Sequence, residues 1–200
     1  MKQTVLAAAA SLIWVLPSLS QAAAYDIDGM HSSVTFSVKH MMVTNVRGEF
    51  QKVSGTIDYD ERDPHKSVVK VSIDSASIST RDEKRDGHLK SPDFFDVAKF
   101  PTITFESTKV EATGKGKLKV TGRLTMHGVT KDVVLDVDGP SGEVKDPYGN
   151  IKVGASATAV INRQDFGVSW NAKLDKGGVV VGDEVKITLD IEAAKRVDKK

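Results

Sequence analysis

From Tyr25 onward the dominant pattern is strict alternation of apolar and polar residues, the two-residue repeat of a strand with one face buried and one face wet. Val34, Phe36 and Val38 alternate with Thr35, Ser37 and Lys39. Val185, Ile187, Leu189 and Ile191 alternate as cleanly with Lys186, Thr188, Asp190 and Glu192. Similar runs near 47–59, 67–78, 101–111, 116–127, 129–138 and 151–162 bring the expected total to about eight strands. Gly48, Asp63-Pro64, Gly114, Gly128, Gly139-Pro140 and Pro147-Tyr148-Gly149-Asn150 read as punctuation between them.

Eight sequential antiparallel strands of this kind form an all-β fold, either a sandwich or a closed barrel. Strand length favours the barrel. A strand of about eleven residues rises roughly 36 Å, and at a tilt of about 40° it spans a tube on the order of 27 Å tall. Such a barrel has room for its own side chains or for one small ligand. The inward parity of one strand reads Ile151, Val153, Ala155, Ala157, Ala159 and Ile161, so its centre carries only methyl groups. That strand is compatible with a cavity, and equally with bulky residues on facing strands filling the gap.

Residues 80–105 interrupt the β pattern. Thr80 and Glu83 have the spacing of a capping box, which predicts one short helix from near Arg81 to about residue 90, stopped by Ser91-Pro92. Arg81, Lys84, Arg85 and His88 then share one side of it as a basic stripe. Asp82, Glu83 and Asp86 interleave with the stripe, so it reads either as an anion contact or as a solvated, locally paired face. Leu89, Phe94, Phe95 and Phe100 read either as core that packs the helix down over one end of the barrel or, less readily, as part of an internal tunnel wall.

Lys2 is the only charge before Asp26, Val5 to Leu16 is an apolar run, and Pro17, Ser18 and Ser20 lead into Ala22-Ala23-Ala24. This is the pattern of a cleaved export signal over residues 1–24, too short to span a bilayer, followed by a single domain over 25–200. Cleavage after Ala22 fits as well, but Tyr25 is the expected mature start. The chain has no cysteine, which excludes disulfides, thiol nucleophiles and thiolate metal sites. Lys and Arg total 28 against 27 Asp and Glu, and loss of Lys2 with the leader balances them. A neutral domain does not point to nucleic acid, and any anion recognition must be local.

His31, His40, His65, His88 and His127 are scattered without metal-ligand spacing. There is no Gly-x-Ser-x-Gly elbow and no glycine-rich phosphate loop. No catalytic residue, metal or catalytic cofactor is expected. His40 continues the parity of Val34, Phe36 and Val38, so it reads either as a group pointing inward at a strand end or as a satisfied structural histidine. Trp170, in Asp165-Phe-Gly-Val-Ser-Trp-Asn, reads either as a guard of the barrel mouth or as an aromatic packed under its loop.

Several ordered motifs carry a family resemblance: Tyr-Asp-Ile-Asp at 25–28, the strand from His31 to His40, Arg85-Asp-Gly-His-Leu-Lys-Ser-Pro-Asp-Phe-Phe, Lys99-Phe-Pro-Thr-Ile-Thr-Phe, Gly122-Arg-Leu-Thr-Met-His-Gly-Val-Thr-Lys and Asn162-Arg-Gln-Asp-Phe-Gly. Across the mature chain the sequence resembles the YceI-like periplasmic polyisoprenoid-binding family. The resemblance implies a lipocalin-like extended eight-stranded antiparallel barrel with an apolar tunnel for an isoprenoid chain, located in the periplasm. On that reading Val34, Phe36, Val38, Phe105, Ala155, Ala157 and Ala159 line the tunnel. His40, Arg81, Arg85, His88 and Trp170 are the head-group candidates. The implied role is a non-enzymatic carrier of an isoprenoid lipid, of quinone or polyprenyl phosphate type, without stable membrane insertion and with a homodimer as a reasonable assembly. The alternatives are an enzyme acting on a hydrophobic substrate through His40 or His88, and a stress-related envelope protein with a filled barrel.

Overall fold

The computed structural model describes residues 22–175 and 177–197. Most of the expected export signal, residues 1–21, lies outside the described residues, while Ala23 and Ala24 already belong to the first strand. The strands are β1 (Ala23–Ile27), β2 (Ser33–His40), β3 (Thr44–Phe50), β4 (Val53–Tyr59), β5 (Val68–Asp74), β6 (Ile78–Ser79), β7 (Thr102–Gly114), β8 (Lys117–Met126), β9 (Val129–Asp138), β10 (Val144–Lys145), β11 (Ile151–Asn162) and β12 (Val181–Lys195). One α-helix, α1 (Glu83–Lys90), lies between β6 and β7.

These pieces make one closed eight-stranded antiparallel barrel, because three of its strands are broken. β1 and β2 are the two halves of one strand on β12, with Tyr25 opposite Lys195 and His40 opposite Val181. β3 pairs with β2 and β4 with β1, and β5 and β6 pair with β4 and β3. β7, β8 and β9 follow as hairpins, and the β11–β12 ladder, from Lys152↔Ala194 to Asn162↔Glu184, closes the ring. The break after β1 is spliced rather than frayed: Glu192 N donates to Ser32 Oγ, and Asp28 N donates to Glu192 O. The shortest seam is β9–β11, paired over Ser156↔Asp138 to Thr158↔Asp136 only.

Two local expectations are corrected here. Gly48 is not a turn; it sits inside β3 opposite Phe36. The helix is capped by Asp82, whose carboxylate accepts from Arg85 N at 2.9 Å, and Arg81 lies outside the helix with φ +64°. A short side chain already pinned elsewhere cannot cap. Thr80 is buried and held by Asp86, which accepts from both its backbone N–H and its hydroxyl, and Arg85 donates to Thr80 Oγ1 and O at 2.7 and 2.8 Å. Ser91 ends the helix as expected, its amide and hydroxyl both donating to His88 O.

The candidate ligand cavity

The inward parity of the strands does not fill the barrel. A cavity of about 590 Å³ runs along the lumen, within the usual range for small-molecule sites. β2 contributes Val34, Phe36 and Val38 to its wall, β7 contributes Phe105, and β11 contributes Ala155 and Ala157. Aliphatic residues of β5, β8 and β12, such as Val71, Leu124 and Leu189, complete the ring. Ala159, expected in the same wall, is not part of it. Ala159 packs instead in the buried cluster with Val133 and Phe166, while Ile161 beyond it returns to the wall.

Two glycines explain why aromatic wall residues leave the lumen open. A Cβ on Gly48 would come within 2.4 Å of Phe36 Cζ, and one on Gly122 within 2.4 Å of Phe105 Cζ. Each ring therefore lies over the bare backbone of a neighbouring strand instead of crossing the lumen. The methyl groups of Ala155 and Ala157 keep another part of the wall equally low.

At the α1 end the lumen meets a plug. Leu89, Phe94 and Phe95 reach the cavity from α1 and the loop after it. Phe50 contacts Phe36 and Phe95 at ring-centroid distances of 5.8 and 5.6 Å, and Phe94 packs on Trp170 at 5.3 Å. Arg163 fastens the loop before β12. It is only 4% exposed, and its guanidinium donates to the carbonyls of Gly182, Val168, Trp170 and Val181 at 2.9, 2.6, 3.0 and 3.2 Å. Asn162 caps the turn it starts, and Gly167 closes that turn with φ +76°.

None of the five head-group candidates forms part of the cavity wall. Arg85 is spent on Thr80, and Arg81 is exposed beyond the helix start. His88 Nε2 lies 2.8 Å from Asp93 Oδ2, and its ring stands edge-on to Phe94 and Trp170 at 5.0 Å. Trp170 packs under its loop, and His40 sits half-buried at the end of β2, opposite Val181 and Thr44. On that strand the cavity wall ends at Val38, short of His40.

The polar part of the cavity lies at the other end, where sequence patterning gave no warning. Tyr25, Tyr59, Glu61, Arg62, Ser67, Glu143 and Lys195 surround it. Tyr25 OH and Lys195 Nζ both donate to Glu143 Oε1, at 2.8 and 2.7 Å. Burial, then the hydrogen bond to Glu143, pushes the Tyr25 hydroxyl up to about 12. Lys195 and then Tyr25 hold the Glu143 carboxyl below the usual range. Burial, helped by Glu61 and Asp60, raises Tyr59 as well, so both phenols stay protonated donors. Glu61, Arg62 and Glu143 come from the segments between strands, which have no period to read.

One cluster has metal-binding residue types: Asp28, His31 and Glu192 converge at the β1–β2 break. Lys152 Nζ already stands between the carboxylates, 2.6 Å from Asp28 and 2.8 Å from Glu192. Those bonds hold Asp28 well below, and Lys152 well above, their ordinary values. An internal ammonium takes the place of a cation there.

The barrel, its apolar lumen and the helix over one end all fall within residues 25–193, the stretch that matches a YceI-like domain. The chain belongs to the YceI-like family. A UPF0312 protein of Pseudomonas syringae pv. tomato is 38% identical over 170 residues, 84% of this chain and 88% of that one. Among solved structures, Burkholderia cenocepacia BcnA superposes with a TM-score of 0.71 at 25% identity, over 83% of this chain and 98% of that one. A polyisoprenoid binding domain from Saccharophagus degradans, implicated in plant cell wall breakdown, shares the fold with a TM-score of 0.62 at 18% identity, over 87% and 99% of the two chains. The YceI-like motifs around Gly122 and Asn162 now have physical roles: Gly122 lets Phe105 lie flat, and Asn162-Arg163 anchors the plugged end.

Proposed function

We propose that this protein binds an isoprenoid lipid in the lumen of its barrel and carries it through the periplasm. The observation that carries the reading is the open apolar cavity of about 590 Å³, walled by side chains held flat by Gly48 and Gly122 and by the methyls of Ala155 and Ala157. The S. degradans domain of the same fold is described as polyisoprenoid-binding, which agrees with this ligand class. The tail lies along the aliphatic wall, and the head, a quinone or polyprenyl phosphate, stays at the polar end near Tyr59 and Arg62. The export pattern of residues 1–24 supports a periplasmic site of action.

The energetics suit a carrier. At about 0.8 kcal/mol per buried CH₂, a long prenyl tail has more transfer energy available than the roughly 18–21 kcal/mol at which affinities saturate. A bilayer satisfies the same tail, so net extraction is far weaker, and shape and ordering costs set the affinity. The enzyme reading through His40 or His88 loses support because neither ring belongs to the cavity wall. The filled-barrel reading loses support from the cavity itself. Native mass spectrometry of protein taken from the periplasm tests the proposal: a bound prenyl lipid is expected, and an empty protein that also rejects added prenyl lipids would overturn it.

A further inference from the structure

The segment between β9 and β11 crosses the polar end of the cavity, with Ser141, Gly142 and Glu143 in the cavity wall. Farther along the same segment two apolar side chains project away from the barrel, Val144 at 63% exposure and Tyr148 at 91%. Tyr148 is held out by a built turn. Asp146 Oδ1 accepts the amides of Tyr148 and Asn150 at 2.9 and 2.8 Å, and Oδ2 accepts Asn150 Nδ2 at 2.8 Å. The turn thus spends its carboxylate internally and leaves the phenol ring almost wholly exposed at its tip.

The charges around this tip are sorted in the same way. Lys66, Lys117 and Lys195 are paired with Asp63, Asp138 and Glu143. Arg62, Lys115 and Lys145 are exposed and make no ion pair among the described residues. Lys115 stands in the β7–β8 turn that adjoins the segment, where Gly139 N donates to Gly116 O. Of the acidic groups without an ion pair here, Asp60 is buried, Asp58 is half-buried and Asp146 is turned onto backbone amides, leaving Glu61 exposed to solvent. An exposed apolar tip bearing an aromatic of the kind that sits at membrane interfaces, with exposed unpaired cations beside it, fits a lipid surface better than a protein cleft.

We propose that this tip docks the polar end of the barrel on a bilayer containing anionic lipid, with Tyr148 and Val144 seated among the head groups and Lys115, Lys145 and Arg62 over the phosphates. The inference rests on the carrier reading for its purpose, since a bilayer is where a prenyl cargo is found, but its test does not need the cargo.

Cosedimentation with vesicles of mixed phosphatidylcholine and phosphatidylglycerol tests it. The intact protein is expected to bind, and a Val144→Asp/Tyr148→Asp variant to bind at least about tenfold more weakly, given the apolar area withdrawn. Met42→Asp, at an exposed turn on the other end of the barrel, is expected to change nothing. Absence of vesicle binding by the intact protein, unchanged binding by the double variant, or an equal loss in Met42→Asp would overturn the proposal. Loading of prenyl lipid from detergent, read by native mass spectrometry, separates the two ideas. A protein that loads lipid yet ignores vesicles overturns docking and leaves the carrier reading standing. One that binds vesicles through the tip but never loads lipid supports docking and removes the carrier.

Discussion

At the α1 end of the barrel, three apolar side chains enter the lumen and a buried arginine donates to four backbone carbonyls; at the opposite end, the Tyr25 phenol, the Glu143 carboxylate and the Lys195 ammonium form one small network beside the cavity. The first end is built from interactions that are costly to break, because an unpaired group there would be left in an apolar interior. The second rests on one part-buried bond, Tyr25 to Glu143, and one exposed ion pair, Lys195 to Glu143, which water can replace at little cost. The contrast teaches that one end of this barrel serves stability, while the other, on the proposed carrier reading, is where cargo exchanges. Residues that look functional in sequence can belong to the former: His88, Arg85 and Trp170 organise the plug.

The sharpest way to break this comparison is to remove the arginine. Arg163→Ala leaves its carbonyl acceptors buried without a donor, and a loss of about 3–5 kcal/mol in urea unfolding is expected. A loss below about 1 kcal/mol would mean the plug is not the stabilising end. Next in size is Ala157→Trp, which places an indole across the lumen. Prenyl lipid binding is expected to fall at least about tenfold with the barrel still folded, as read by titration beside circular dichroism. Unchanged binding would show that the lumen wall is assigned to the wrong face.

Gly48→Ala is a subtler probe of the same wall. Its Cβ would meet only the far ends of the Phe36 and Thr80 side chains, so the Phe36 ring must swing toward the lumen, with a stability cost of about 1–2 kcal/mol and weaker lipid binding. The alkaline limb of stability reports on the other end. Tyr25 titrates higher folded than unfolded, so its contribution is complete below about pH 10 and is lost as pH rises from there to about 12. Discounted for screening, about 1–2 kcal/mol should disappear over that window in thermal melts, and Tyr25→Phe should flatten the slope. The smallest expected effect on stability is that of Glu143→Gln, which breaks an exposed network: the melting midpoint should barely move while lipid release quickens in stopped-flow transfer. An equal rate would show that this network does not guard the opening.

Much of the barrel was legible because its information is periodic. Alternation named all eight strands, since one face of each is wet, and it placed Val34, Phe36, Val38 and Ala157 on the inner face. It did not show that three of those strands are broken, because the splices depend on side-chain bonds such as Ser32 to Glu192 across 160 residues. Gly48 was misread as a turn because a glycine mid-strand and a glycine in a turn look alike until the ring opposite is known. The capping box failed for a related reason, as Thr80 was already committed to Asp86 and Arg85. The polar end escaped altogether. Tyr25, Glu143 and Lys195 meet only when β1, the segment before β10 and β12 are folded together, and no local spacing records that meeting.

The central claim is that the lumen is the binding site, and a crystal structure of the protein loaded with a long-chain prenyl lipid tests it most directly. Continuous chain density between the Phe36 and Ala157 walls, with the polar head near Tyr59, is the predicted result. Density for the chain on the outer surface of the barrel, or a lumen closed by its own side chains in the loaded crystal, would contradict it.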